Sequence, residues 1–439
     1  MMMAIATGVL LGIAYTLSPL SVLSLLALTW ASIAASRGLS ERERRWFWSI
    51  MTISVVVRVA AIALLFYTAD PSHPFASFFG DEELYKFRTM WLRNIGQGLP
   101  MSPADVIYSY DAVGHTSYMY VLALVQSFVG DAPYGLHVFN MALFMCGVLA
   151  LYRLARASYG AQVAMVGLIA LLFLPSMSLW SVSVLKEPMN VFMIAVELTC
   201  AVAIIRAPRW WQKVLAALVV AFAALAMESL RTGGALIAAS GTGLGLFLTL
   251  VVSRGRRLAF AMMAAPIVII AVVSLPSFQQ RALTNLRMAA YYHAGHVLTP
   301  GYSYRLLNPR YYPDRGFVLY QLPANDAATF ALKAVGAYFV QPLPWQMKSR
   351  TMLAFLPEHI GWYVAALLLP FGIYAGMKRD IALTAMLAAH AAAAVLVIAL
   401  SSGNIGTLIR HRSLALPYVV WLSATGAHDL ARRFVVRRR

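Results

Sequence analysis

The stretch FWSIMTISVVVRVAAIALLFYTA, Phe47 to Ala69, decides the fold class. It is apolar without alternation, and Arg58 is its single charge. A helix rising about 1.5 Å per residue over this length crosses a hydrocarbon core of about 30 Å. In lipid the backbone must satisfy itself, which leaves helices or closed barrels. A continuous run favours the helix over the alternating barrel strand. Similar runs lie at 4–35, 134–152, 161–180, 187–205, 213–228, 233–253, 258–276, 359–376, 381–400 and 413–428. The expected fold is therefore all-α: a polytopic integral membrane protein with about 11 transmembrane helices, within a range of about 10–12.

Composition agrees. Of 439 residues, 61% are hydrophobic and 12% charged, about half the charged share of a soluble domain. The net charge of +18 would suit a nucleic-acid binder, but the basic residues sit at the ends of apolar runs. There they orient helices and meet anionic headgroups, so membrane lipids are the expected partner and nucleic acid is not. Cys146 and Cys200 both lie in apolar runs, which speaks against a disulfide framework or zinc site. The first run has neither a basic leader nor a clear cleavage site. It reads as a retained span, continuous or broken at Ser18-Pro19.

More than half of the 35 Lys and Arg residues fall in short connectors: Arg37 to Arg45, Arg153 with Arg156, Arg206 to Lys213, Arg254 to Arg257, Lys378 with Arg379, and Arg432 to Arg439. By the positive-inside rule these are cytoplasmic, together with the C-terminus. Connectors 70–133 and 277–358 then face the periplasm or exterior of a bacterial inner membrane, as two large loops of one membrane domain over 1–439. His115 to Val129 is apolar but short, and reads as a re-entrant or interfacial helix.

Charge near a membrane is costly, so its placement is informative. Of 17 acidic residues, Asp81, Glu82 and Glu83 are consecutive. They open GDEELYKFRTMW (Gly80 to Trp91), an amphipathic segment that would hold carboxylates at the interface or simply stabilise a helix start. Lys186-Glu187, in WSVSVLKEPMNVF (Trp180 to Phe192), marks a tight outer turn. Glu228 and Arg231, three residues apart in the next outer turn, are spaced to pair with each other. SSGNIGTLIRHRSLALP (Ser401 to Pro417) sets Arg410, His411 and Arg412 at the expected start of the last span. Cations there run against the helix dipole and suit a phosphate. Asn404 lies in the same turn. In the second loop Trp345, after Pro342 and Pro344, is a candidate wall of the site. Arg58 is expected to snorkel or pair, and His390 to be a satisfied bundle histidine.

Asp81-Glu82 with Tyr85 resembles the DE-x-x-Y element of the GT-C membrane glycosyltransferases, in the protein O-mannosyltransferase and aminoarabinose-transferase branch. HTSYMY (His115 to Tyr120) is similar to that branch's HPPLYY, without its prolines, and Glu187 stands where relatives carry an acid. The resemblance covers roughly residues 47–205. It implies a GT-C-like helical bundle that transfers a sugar from a polyprenyl-phosphate-linked donor to a glycan, lipid or protein acceptor. Asp81 would be the general base, and Glu187 and Glu82 would orient the acceptor or hold a divalent metal ion. Arg231, Arg410, Arg412 and His411 would neutralise the lipid phosphate. Tyr85, His115, Lys186, Trp345 and Asn404 would contact substrate. Two alternatives stand beside it. One is a polysaccharide polymerase or ligase acting on undecaprenyl-pyrophosphate glycans, in which His293 or His296 and Arg305 would matter more than Asp81. The other is a lipid or glycan transporter without catalysis.

Overall fold

A computed structural model describes residues 18–70, 75–111, 114–130, 134–253, 274–347 and 353–437, with Gly8 and Gly12. Among these residues the chain is helical, with no named strand. Among the described residues eight helices are long and apolar enough to cross a membrane, or nine if one bent pair of helices makes a single span. The protein is thus a multi-pass membrane protein. The expected span 258–276 lies almost wholly outside the described residues.

The chain divides into two compact units, Met1–Ala238 and Ala239–Arg439. The first holds α1 (Pro19–Ser36), α2 (Glu41–Thr68), α3 (Gly80–Gly96), α4 (Pro103–Ser109), α5 (Ser117–Val129), α6 (Gly135–Tyr159), α7 (Ala161–Phe173), α8 (Pro175–Val182), α9 (Glu187–Arg206) and α10 (Trp210–Leu230). Helix α6 is central, packed against α1, α7 and α9, and its Met141, Met145, Val148 and Tyr152 are fully buried. Gly160, at φ +90°, reverses the chain from α6 into α7, a conformation that a Cβ disfavours.

The basic connector between α1 and α2 is fastened rather than merely solvated. Arg153 of α6 donates to the carbonyls of Ala35 and Arg37, and Arg156 donates to the Glu43 carboxylate at 3.0 Å. Glu43 and Ser40 in turn form a capping box that starts α2.

The expected span 161–180 is broken. Helices α7 and α8 meet at an angle of 60°, at Leu174-Pro175, because proline supplies no N–H to continue the ladder. Arg58 meets the break. Its Nη2 donates to the Leu172 carbonyl at 2.8 Å and its Nε to Ser181 Oγ at 2.7 Å, with the guanidinium over the Phe144 ring. At 1% exposure Arg58 does not snorkel. It satisfies backbone that the bend released, as lipid-embedded backbone requires.

Helix α11 (Gly234–Ser253) carries the boundary between the units. The second unit continues with α12 (Pro276–Leu298), α13 (Arg315–Gln321), α14 (Ala324–Val340), α15 (Leu356–Arg379), α16 (Ile381–Ser401), α17 (Ile405–Arg412) and α18 (Leu416–Arg437). Helices α15 and α18 pack where glycine permits contact: a Cβ on Gly372 would stand 1.8 Å from the Leu422 carbonyl oxygen, and one on Gly426 2.4 Å from that of Leu368. Helix α18, expected as the last span over 413–428, is not among the eight. Its apolar stretch ends at Ala427, before His428, Asp429, Arg432 and Arg433, and every residue from Arg412 to Gly426 is buried. His390 Nδ1 donates to the Met386 carbonyl and its ring stacks on Tyr418, the satisfied histidine its setting suggests.

Candidate functional site

The first unit gathers buried polar groups at one place, where α3 meets the chain between α8 and α9. Residues Ser183 to Lys186 lie between two helices and make no helix of their own, so their backbone needs partners. Side chains supply them. Glu82 Oε2 accepts from the Val184 N–H at 2.9 Å. His137 Nδ1 bonds the Val182 carbonyl at 2.7 Å, and Asn140 Nδ2 donates to the carbonyls of Ser183 at 2.7 Å and Leu185 at 3.0 Å. Asn140 also reaches the Tyr118 hydroxyl at 2.7 Å.

Glu82 is fully buried. Its second oxygen accepts from the N–H groups of Phe78 and Phe79 at 2.9 and 3.1 Å, and Lys86 lies one helical turn on at 3.7 Å. Lys86 also donates to the Ala76 carbonyl and meets His137 Nε2 at 3.1 Å. Since the ammonium can only donate, His137 accepts at Nε2 and carries its proton on Nδ1, directed at Val182. Burial pushes the Glu82 carboxyl up, against Lys86 and three backbone N–H donors that pull it down. Burial likewise brings Lys86 down to about 8, against the attraction of Glu82. Tyr118, also fully buried, is raised first by burial and further by the charges of Glu82, Tyr85 and Glu187.

Glu187 opens α9, and its Oε1 pairs with Arg231 Nη2 at 3.0 Å; the side chains are 2% and 16% exposed. The pairing of Arg231 with Glu228 expected from their spacing does not form. Glu228 instead accepts the N–H groups of Gly233 and Ala235, both at 3.0 Å, capping α11, where the helix dipole favours an anion. Each buried carboxylate of the cluster is thus met by a protein cation, Glu82 by Lys86 and Glu187 by Arg231. Among the described residues no group of three or more His, Cys, Asp or Glu side chains is arranged to hold a metal ion.

The remaining expected residues of this unit surround the cluster. Asp81 is exposed in the first turn of α3, while Tyr85 is buried edge-on to Tyr118. Lys186 is half-buried at the start of α9. His115 is exposed and bonds the Tyr120 hydroxyl at 3.0 Å. The structure joins α3 to the turn before Glu187 through Glu82. Lys86, Tyr118, His137 and Asn140 were not among the expected site residues. A histidine and an asparagine three apart at the start of an apolar run were the available signal, since polar groups there face protein.

Trp345, Asn404, Arg410, His411 and Arg412 belong to the second unit, and their setting corrects the expectation. The three basic residues do not begin a transmembrane helix. They form the last turn of α17, which Asn404 starts by accepting the Gly406 N–H at 2.8 Å. Cations at a helix C-terminus complement the dipole rather than oppose it. Arg412 is buried, bonds the carbonyls of Tyr338 and Gln341 and His359 Nδ1, and lies over the Trp362 ring at 4.9 Å. Burial lowers it to about 10. Its guanidinium closes the end of α14 and is 4% exposed. Arg410 and His411 are half-buried, with the His411 ring 6.4 Å from that of His296. Asn404 is buried and also reaches the Pro300 carbonyl, a structural position. Trp345 is 72% exposed.

His293 and His296 close the end of α16, whose last carbonyls have no helical partner. His293 Nδ1 bonds the Ser402 carbonyl at 2.6 Å and its Nε2 meets the Tyr312 hydroxyl at 3.3 Å, while His296 Nδ1 bonds the Ser401 carbonyl at 2.7 Å. The Tyr312 oxygen already accepts from the N–H groups of Leu306 and Leu307, so its proton is directed at His293. Both ring nitrogens of His293 are thereby committed to holding the loop.

Compared with protein-family models, with curated proteins and with solved structures, the chain matches none.

Proposed function

We propose that the chain is a membrane-embedded glycosyltransferase that moves a sugar from a polyprenyl-phosphate-linked donor to an acceptor hydroxyl. The observation that carries this reading is the bond from Glu82 to Val184. It ties the acidic start of α3 to the turn that presents Glu187, so a solvent-accessible carboxylate, Asp81, rises from a rigid buried base. Asp81 takes the acceptor's proton as the acceptor oxygen attacks the anomeric carbon. The bond from that carbon to the phosphate oxygen breaks, and the lipid phosphate departs with the electron pair. Arg231, partly exposed beside Glu187, is the cation of this unit available to balance the growing charge. A divalent ion, where one takes part, would draw on Glu187.

The distribution of basic connectors supports a multi-pass bacterial inner-membrane protein with this cluster facing the periplasm and the C-terminus in the cytoplasm. The reaction is tested by glycan profiling of cells carrying Asp81→Asn or Asp81→Ala. Loss of roughly a hundredfold or more in transfer is expected for a general base, with the folded protein present at the wild-type level. Full activity in both variants rejects the mechanism. Asp81 variants that retain activity, together with a His296→Ala variant that folds but loses it, favour the polymerase or ligase reading.

A further inference from the structure

The opposite end of α2 from the loop carrying Glu82 holds a second feature that the proposed reaction does not use. Arg42, Arg45, Trp46 and Ser49 line a cavity of about 360 Å³. Their spacing of three and four residues places them on one stripe of the helix. Volumes of about this size hold small-molecule ligands.

Three observations point to the occupant. The first is uncompensated charge. Among the described residues neither the Arg42 nor the Arg45 side chain has an ion-pair or hydrogen-bond partner, and the carboxylate of neighbouring Glu43 is taken by Arg156 and by the Ser40 N–H. Glu41, adjacent in sequence and exposed, forms no ion pair among the described residues. The second is Trp46, 59% exposed despite its size. An indole in that position is suited to the headgroup level of a bilayer. The third distinguishes a lipid from a soluble anion. The same stripe continues down the span as exposed aliphatic side chains: Ile53 at 54%, Val56 at 59% and Leu64 at 60%. A basic, hydrogen-bonding pocket therefore opens directly onto an apolar track.

We infer that this face of α2 seats the phosphodiester headgroup of an anionic membrane lipid, with an acyl chain lying along Ile53, Val56 and Leu64. The two guanidiniums hold the phosphate oxygens, the Ser49 hydroxyl adds a donor, and the Trp46 indole covers the glycerol.

The test is native mass spectrometry of the full chain, purified in detergent and titrated with dioleoylphosphatidylglycerol or dioleoylphosphatidylcholine. Wild type is expected to retain the anionic lipid preferentially. The double variant Arg42→Gln/Arg45→Gln should lose that preference by roughly tenfold or more. Ser49→Phe, which fills the cavity without changing charge, should lose it as well. Arg44→Gln removes one charge off the stripe and should leave it intact, and millimolar inorganic phosphate should not displace the lipid. Undiminished preference in both the double variant and Ser49→Phe overturns the inference. So does an equal loss in Arg44→Gln, which would mean diffuse charge attraction, or displacement by phosphate, which would mean a soluble-anion site.

Discussion

The Glu82 carboxylate accepts a 2.9 Å hydrogen bond from the backbone N–H of Val184, 102 residues further along the chain. Its neighbour Asp81, one position earlier, faces solvent. Two adjacent acids thus divide between holding the site and lining its surface, and substitution should separate the roles.

Glu82→Ala leaves Lys86 buried without its carboxylate and three backbone N–H groups without an acceptor. Breaking a buried pair from one side costs about 3–5 kcal/mol. The expected result is a large fall in thermal midpoint in detergent, with Glu82→Gln intermediate. Asp81→Asn should unfold at the wild-type temperature. Equal midpoints for Glu82→Ala and Asp81→Asn would contradict this division.

Arg231→Ala should destabilise the protein more than the double variant Arg231→Ala/Glu187→Gln does. The single change strands an almost fully buried carboxylate, and the second change removes its charge. A coupling of about 1–3 kcal/mol is expected for residues in direct contact. Additive effects in the unfolding cycle would mean that the 3.0 Å pair contributes nothing specific.

Burial holds His293 down to about 4 from an ordinary 6.5. Between those values the unfolded chain binds the proton that the folded chain excludes. Stability contributed by the neutral ring is therefore complete above about pH 6.5 and lost as pH falls toward 4, by up to roughly 3 kcal/mol. Protonation would also remove the acceptor at Nε2 that Tyr312 addresses. His293→Asn, which keeps a donor for the Ser402 carbonyl, should start less stable but show a shallower loss between pH 6.5 and 4. Unfolding curves across that range check it, and parallel slopes would assign the pH dependence elsewhere.

Arg58→Lys should destabilise nearly as much as Arg58→Leu. The guanidinium reaches Ser181, Ser54 and the Leu172 carbonyl in different directions, and an ammonium cannot reproduce that fork. A lysine variant with a wild-type midpoint would show that charge, rather than the fork, supports the α7–α8 bend.

The membrane class was legible in the sequence because a transmembrane helix is a local property: a long enough apolar run such as Phe47 to Ala69 has few other ways to satisfy its backbone. The places where polar residues interrupt those runs were legible for the same reason, and they located the Asp81 and Lys186-Glu187 segments. Partner choice was not. Asp81 and Glu82 are chemically alike and about 100° apart on α3, so only the position of Val184 decides which one is buried. Arg231 lay at pairing distance in sequence from Glu228 yet found Glu187, since α9 and α10 pack side by side. Arg412 read as a phosphate ligand at the head of a span. The chain placed it in the last turn of a short helix instead, against carbonyls at the end of α14. Such pairings depend on contacts between segments tens to a hundred residues apart, which hydrophobic pattern does not encode. The sequence by itself determined what spans the membrane and where charge gathers; the tertiary structure decided which of those charges hold the fold and which remain open to a substrate.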